Sequence, residues 1–217
     1  MIEDAKASLP GFSRSYARKR GLPNGVVEAA VVRFLSHHVA SAIEAKRNRR
    51  SGKNWYFNSL KVFAEKLSYV PKATLEDILK RLERDKQIEI ANFNKLELDR
   101  THWYWVPKEV RDQAEEDVIY FNQRVANRHG LCAGVLYENL KHTSKSEPAY
   151  FWKMSPTMLA RVLPFSQSTI RRTLKKLVKA RVIAKDNTSP SLYHIVMPET
   201  HKVLRTGMIV PMSHIEK

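Results

Sequence analysis

The chain carries an imperfect internal repeat, and a repeat sets the architecture before any single element is assigned. Residues 60–90 (LKVFAEKLSYVPKATLEDILKRLERDKQIEI) match residues 155–185 (SPTMLARVLPFSQSTIRRTLKKLVKARVIAK). Leu75, Leu79, Leu82 and Ile88 fall on Ile170, Leu174, Leu177 and Ile183 at one constant offset. One residue is gained or lost in the preceding turn, between Leu67 and Leu75 versus Leu163 and Ile170. Both copies close on an aromatic segment ending in proline, WYWVP (103–107) and YHIVMP (193–198). A chain of 217 residues accommodates two small domains, and the repeat divides it that way.

Each copy reads as helix, helix, turn, helix and a two-stranded hairpin. In the first, 26–45 is apolar at helical spacing through Val27, Val31, Phe34, Leu35, Val39 and Ile43. A short helix is expected at 58–67, capped by Asn58 or Ser59, and a longer one at 72–86. Strands are expected at 88–91 and 102–106. In the second copy the helices begin at Leu131, at Ser155 or Pro156, and at Ser166 or Ser168. Strands at 182–185 and 192–196 flank DNTSP (186–190). Between the copies, Val110, Ala114, Val118, Phe121 and Val125 form a helical stripe that ends at Gly130. The expected organisation is a basic arm at 1–24, a first domain at 25–107, a connecting helix at 108–130, a second domain at 131–198 and a tail at 199–217.

Charge is concentrated. The chain holds 38 Lys and Arg against 22 Asp and Glu, a formal +16, which points to a polyanionic partner. Three acid-free segments account for the whole excess: 14–20, 46–53 and 166–185. The first holds Arg14, Arg18, Lys19 and Arg20; the second holds Lys46, Arg47, Arg49, Arg50 and Lys53. The third holds Arg171, Arg172, Lys175, Lys176, Lys179, Arg181 and Lys185.

The stretch FSQSTIRRTLKKLVKARVIAK (165–185) has a Ser-x-Ser-Thr-aliphatic opening, paired bases, a Leu-x-x-Leu stripe and an aliphatic entry into a hairpin. It resembles the recognition segment of winged helix-turn-helix domains. The first copy, PKATLEDILKRLERDKQIEI (71–90), keeps the stripe but lacks the Ser-Ser-Thr opening. The tandem arrangement is similar to phage and plasmid replication initiators, replisome organisers and some phage regulators. The resemblance implies a mainly α fold with small β-hairpin wings: two winged helix-turn-helix domains joined by the connecting helix.

In such a domain the third helix enters the major groove and its leading half meets base edges. Gln167 and Ser168 are candidates for base or phosphate contacts, and Arg171 or Arg172 for a bidentate pair with guanine. Lys175, Lys176 and Lys179 are expected on phosphates, setting affinity without reading sequence. Lys185, Asn187, Thr188 and Ser189 suit a wing contact. In the first copy Glu76 and Asp77 stand where Arg171 and Arg172 stand, while Lys80, Arg81 and Arg84 match Lys175, Lys176 and Lys179. The second copy is therefore expected to be the main reader. The first would contribute through 46–53, with Lys72 as a further base, or through a protein partner. Arg18 and Arg20 belong to an arm suited to a narrow minor groove.

The expected partner is double-stranded DNA, with no cofactor and no metal, in a monomer or homodimer. No secretory leader is expected, because Glu3 and Asp4 interrupt the start and no apolar core follows. The apolar stretch 26–43 is interrupted by Glu28, Arg33, His37 and His38 and reads as a buried helix rather than a bilayer span. A cytoplasmic, nucleoid-associated protein is expected. Cys132 is the only cysteine, so no disulfide scaffold forms. No phosphate-binding glycine loop is present. His37 and His38 are adjacent and point to different helix faces, and Glu138 and His142 lack further ligands, so no catalytic or metal constellation stands out. The aromatic clusters at 55–57 and 103–105 are expected mainly in the core, with base stacking as the alternative.

Overall fold

The computed structural model describes residues 10–21, 24–96, 98–146, 155–185, 193–195, 201–203 and 209–211. The chain is mainly helical with small antiparallel sheets, and it divides into two compact units, Met1–Tyr120 and Phe121–Lys217.

The first unit begins with strand β1 (Gly11–Ser13) and helix α1 (Arg14–Arg20). The Ser13 side chain caps α1 by accepting from the Tyr16 amide at 3.1 Å. Helix α2 (Gly25–Glu44) is the centre of the unit. By length and composition α2 could cross a membrane, yet Val26, Ala29, Ala30, Val31, Val32, Leu35, Val39 and Ala42 are buried within the unit. A tight hairpin, β2 (Arg49–Arg50) and β3 (Lys53–Asn54), follows. Its two turn residues, Ser51 and Gly52, both have positive φ, 48° and 77°. That is the turn whose twist matches two-residue hairpins, and glycine takes it without a Cβ penalty.

Strand β4 (Tyr56–Ser59) leads into α3 (Leu60–Lys66), which Ser59 caps, and then α4 (Lys72–Arg84). Strands β5 (Glu89–Ala91) and β6 (Thr101–Trp105) complete a three-stranded sheet of order β4-β6-β5. Helix α5 (Lys108–Glu115) packs on α2, and strand β7 (Val118–Tyr120) pairs with β1, with Phe12 opposite Ile119.

In the second unit α6 (Gln123–His129) packs on α7 (Leu131–Ser146), followed by α8 (Pro156–Val162) and α9 (Gln167–Lys179). Strands β8 (Ile183–Lys185) and β9 (Tyr193–Ile195) pair, as do β10 (His201–Val203) and β11 (Ile209–Pro211) in the tail.

Two expected boundaries are corrected. Residues 108–129 do not form one connecting helix: α5 and β7 belong to the first unit and α6 to the second. Arg14 forms a two-pronged bond to Asp117, at 2.7 and 2.9 Å, and the buried Arg33 bonds Glu115 at 3.0 Å. Nor is the described part of 1–24 an arm, because Phe12, Ser13, Tyr16 and Ala17 are buried.

Both corrections have one cause, a longer repeat than the third helices alone reveal. Phe12, Ser13, Ala17, Gly21, Leu22, Gly25 and Val26 match Phe121, Asn122, Ala126, Gly130, Leu131, Gly134 and Val135 at one spacing. The structural roles match too. Ser13 and Asn122 cap α1 and α6. Gly21 and Gly130 end them at φ 80° and 98°, the region that favours glycine. Gly25 and Gly134 let the next helix pack closely: a Cβ would lie 2.3 Å from the Ala17 carbonyl oxygen and 2.8 Å from the Ala126 Cβ, respectively.

Candidate nucleic-acid interface

Helix α9 has the stronger case. Ser166 caps it, accepting from the Thr169 amide at 3.2 Å, and its hydroxyl also lies 3.0 Å from that of Ser168. Ile170, Thr173, Leu174 and Leu177 are buried, the i, i+3, i+4, i+7 stripe of a helix with one apolar face. Val178, beside that stripe, is only half-buried. Ser168, Arg171, Arg172, Lys175, Lys176 and Lys179 are all exposed, as are Arg181 and Lys185 beyond the helix. Among the described residues, no ion pair involves Arg171, Arg172, Lys175, Lys179 or Lys185.

Two of the expected contacts on α9 are engaged within the unit. Lys176 Nζ donates to the His129 carbonyl at 3.1 Å, so it caps the end of α6. Gln167 Nε2 donates to the Thr157 hydroxyl of α8. Asn187, Thr188 and Ser189 lie outside the described residues.

Helix α4 has the same skeleton with different electrostatics. Leu75, Ile78, Leu79 and Leu82 are buried at the positions matching those of α9. Both helices end in the same turn, through Lys86 at φ 55° and Arg181 at φ 54°. The cations of α4 are largely neutralised. Lys80 pairs with Glu76 at 3.0 Å, Arg84 with Asp85 at 3.2 Å, and Arg81 with the buried Glu28 at 3.0 Å. Arg20, expected on DNA, instead bridges Glu28 at 2.6 Å and Asp85 at 2.7 Å. Those two carboxylates raise its pKa against the lowering effect of burial. Arg20 and Arg81 are therefore fold residues, held by a carboxylate whose burial demands partners. Arg18 is exposed on α1, and Lys72 on α4.

The 46–54 segment is an ordered hairpin. Asn54 Nδ2 donates to the Arg47 carbonyl at 2.7 Å, and Trp55 Nε1 to the Arg50 carbonyl at 3.0 Å. Lys46, Arg47, Arg49 and Arg50 are exposed. Lys53 is not a free cation: Glu89 lies 2.6 Å from its Nζ, which also sits 4.1 Å from the Trp105 ring centre.

The aromatic clusters split between two faces, a point the strand alternation signals. The rows pair Tyr56 with Tyr104 and Ile90, and Phe57 with Trp103 and Ala91. Tyr104 is buried against Phe63 of α3, as expected for a core aromatic. Phe57 is 44% exposed on the opposite face, with its ring 4.7 Å from that of Trp103. Arg50 lies 5.8 Å from the Trp103 ring centre.

No group of three or more possible metal-binding side chains occurs among the described residues. Burial pushes the Cys132 thiol up to about 11, so it stays protonated and is a poor nucleophile. No protein-family model, curated protein or solved structure matches the chain.

Proposed function

We propose that the chain is a sequence-specific double-stranded DNA-binding protein. In this reading it is built from two winged helix-turn-helix domains, and α9 is the reading helix. The observation that carries the proposal is the exposed, acid-free cationic face of α9, opposite a fully buried stripe. A cluster of like charges without internal carboxylates is paid for in self-repulsion unless a polyanion answers it. Within each unit three successive helices, α2–α4 and α7–α9, are followed by two paired strands, with β4 adding a third strand in the first, and that order suits a winged domain. Arg171 or Arg172 would read guanine, Lys175 and Lys179 would hold phosphates, and Ser168 would make a polar contact at the leading end.

The biological setting we propose, on the resemblance of the tandem arrangement, is a phage or other mobile element. There the protein would act as a transcriptional regulator or an origin-binding replication factor. A second reading concerns the first domain alone. Glu76 and Asp77 are exposed at the leading end of α4, which repels phosphates and suits a protein partner. The test is binding to a selected duplex and a random duplex across a salt series, with the parent and Arg171→Glu/Arg172→Glu. The parent should prefer the selected duplex, and the variant should lose that preference. Unchanged discrimination in the variant overturns α9 as the reader.

A further inference from the structure

We infer that the outer face of the β4-β6-β5 sheet is a second nucleic-acid site, one that takes an unpaired strand by stacking a base on Phe57 beside Trp103. This site is separate from α9 and does not rest on the duplex reading.

The two sheet faces have different fates. Tyr104 and Ile90 turn toward the core, where Tyr104 meets Phe63. The other face carries Phe57, Trp103 and Trp105, and the basic hairpin β2-β3 lies beside it. Part of that face is built for rigidity. Trp103 Nε1 donates to Asn94 Oδ1 at 2.9 Å. The Asn94 amide is itself fixed by the carbonyls of Asp99 and Thr101, at 2.9 and 2.7 Å. Phe93 lies edge-on to both Trp55 and Trp103, with centroids at 5.1 and 5.5 Å. Trp103 is thus positioned by its nitrogen and its edge, and it in turn supports Phe57.

Phe57 is the member the fold leaves in water, at 44% exposure. An exposed ring held rigidly against a second ring loses little entropy when another planar group stacks on it. The surrounding charge selects the partner. Glu89, the acid in register with Trp105, is neutralised by Lys53 at 2.6 Å. Arg47, Arg49 and Arg50 of the adjoining hairpin are exposed, and no ion pair among the described residues engages them. An aromatic platform beside arginines fits a flat base joined to a phosphate, the combination used for single strands. A paired base keeps its faces stacked within the duplex, so only an unpaired nucleotide can offer one.

The experiment is fluorescence anisotropy of the full chain with a labelled dT15 and, separately, a labelled U15. The parent, Phe57→Ala, Phe57→Tyr and Arg49→Glu/Arg50→Glu are compared, each also in the Arg171→Glu/Arg172→Glu background. Phe57→Ala should weaken single-strand binding roughly five- to 150-fold, the range for one lost base–aromatic stack. Phe57→Tyr should retain it. Arg49→Glu/Arg50→Glu should weaken binding and flatten its salt dependence by about 0.7 per lost phosphate contact. The Phe57 effect should persist when α9 is reversed, which separates this site from the duplex site. Whichever strand binds more tightly identifies the source as DNA or RNA. A parent that binds neither strand overturns the inference. So does Phe57→Ala binding like the parent while melting at the parent's temperature.

Discussion

Arg81 turns back along its own unit: its Nη2 lies 3.0 Å from Oε1 of Glu28, the buried carboxylate of α2. The residue that matches it in the second unit, Lys176, also turns back, donating to the His129 carbonyl at the end of α6. One position of the repeat thus ties each third helix to the front of its own unit. The chemistry at the tie differs. The first unit uses a charge network of Arg20, Glu28, Arg81 and Asp85, and the second uses a lysine on a helix-end carbonyl.

Glu28→Ala should therefore destabilise the first unit by about 3–5 kcal/mol, because it takes Arg81's ion-pair partner and one of Arg20's two from a site that is 4% exposed. The exposed pair of Lys80 and Glu76 offers the contrast: Lys80→Ala should leave the unfolding midpoint essentially unchanged. Urea unfolding of the two variants, with hydrogen exchange to localise the loss, checks both expectations. Glu28→Ala unfolding at the parent's midpoint would remove the network from the stability account.

The paired glycines give an independent check of the longer repeat. Gly25→Ala and Gly134→Ala should each destabilise their unit by about 1–3 kcal/mol, since the new methyl meets atoms at 2.3 and 2.8 Å. At Gly52 a methyl meets nothing within 4 Å, so Gly52→Ala should cost only the strain of φ +77°, about 1–2 kcal/mol. Amide exchange should show Gly25→Ala loosening α1 and α2, Gly134→Ala loosening α6 and α7, and Gly52→Ala loosening only the hairpin.

The third helices were legible because their order is local. The stripe of Leu75, Leu79 and Leu82, and that of Ile170, Leu174 and Leu177, need only the helical period, and Ser59, Ser155 and Ser166 cap as serines do. Segment 108–129 was not legible, because Val118 and Phe121 fit a helical stripe although Val118 pairs with Ser13 in a strand. That strand needs a partner a hundred residues away, which local periodicity cannot see. The partners of Arg20 and Arg81 were not legible for a similar reason. A basic run advertises charge, but the acids that cancel it come from Glu28 and Asp85, on other segments. Where no such acid reaches, on α9, the charge expected from sequence stays exposed.

The first unit should lose stability in mild acid through His38. Its ring stacks on Tyr56 at 4.5 Å and meets Phe34 at 4.4 Å. Burial first, then Lys66, His37 and Arg47, push its pKa down from 6.5 to about 4. Between those values the unfolded chain binds a proton that the folded chain refuses, so stability falls as pH drops through this window and is unaffected by His38 above it. Replacing it with Phe, which keeps the stacking, should flatten the curve of unfolding free energy between pH 6.5 and 4. An unaltered curve would place the acid sensitivity elsewhere.

The lysines of α9 and its arginines should fail differently. Lys175→Ala and Lys179→Ala should each weaken binding to selected and random duplex alike, and each should reduce the log–log salt slope by about 0.9, the signature of one lost phosphate contact. Arg171→Ala and Arg172→Ala should differ from each other. The one that pairs with guanine should cost about 1–3 kcal/mol on the selected duplex and relax discrimination at a single base pair. The other should behave like the lysines. A selection from randomised duplexes, repeated with each variant, separates the two. If all four substitutions scale every sequence equally, α9 grips the backbone and the discrimination arises from another element of the chain.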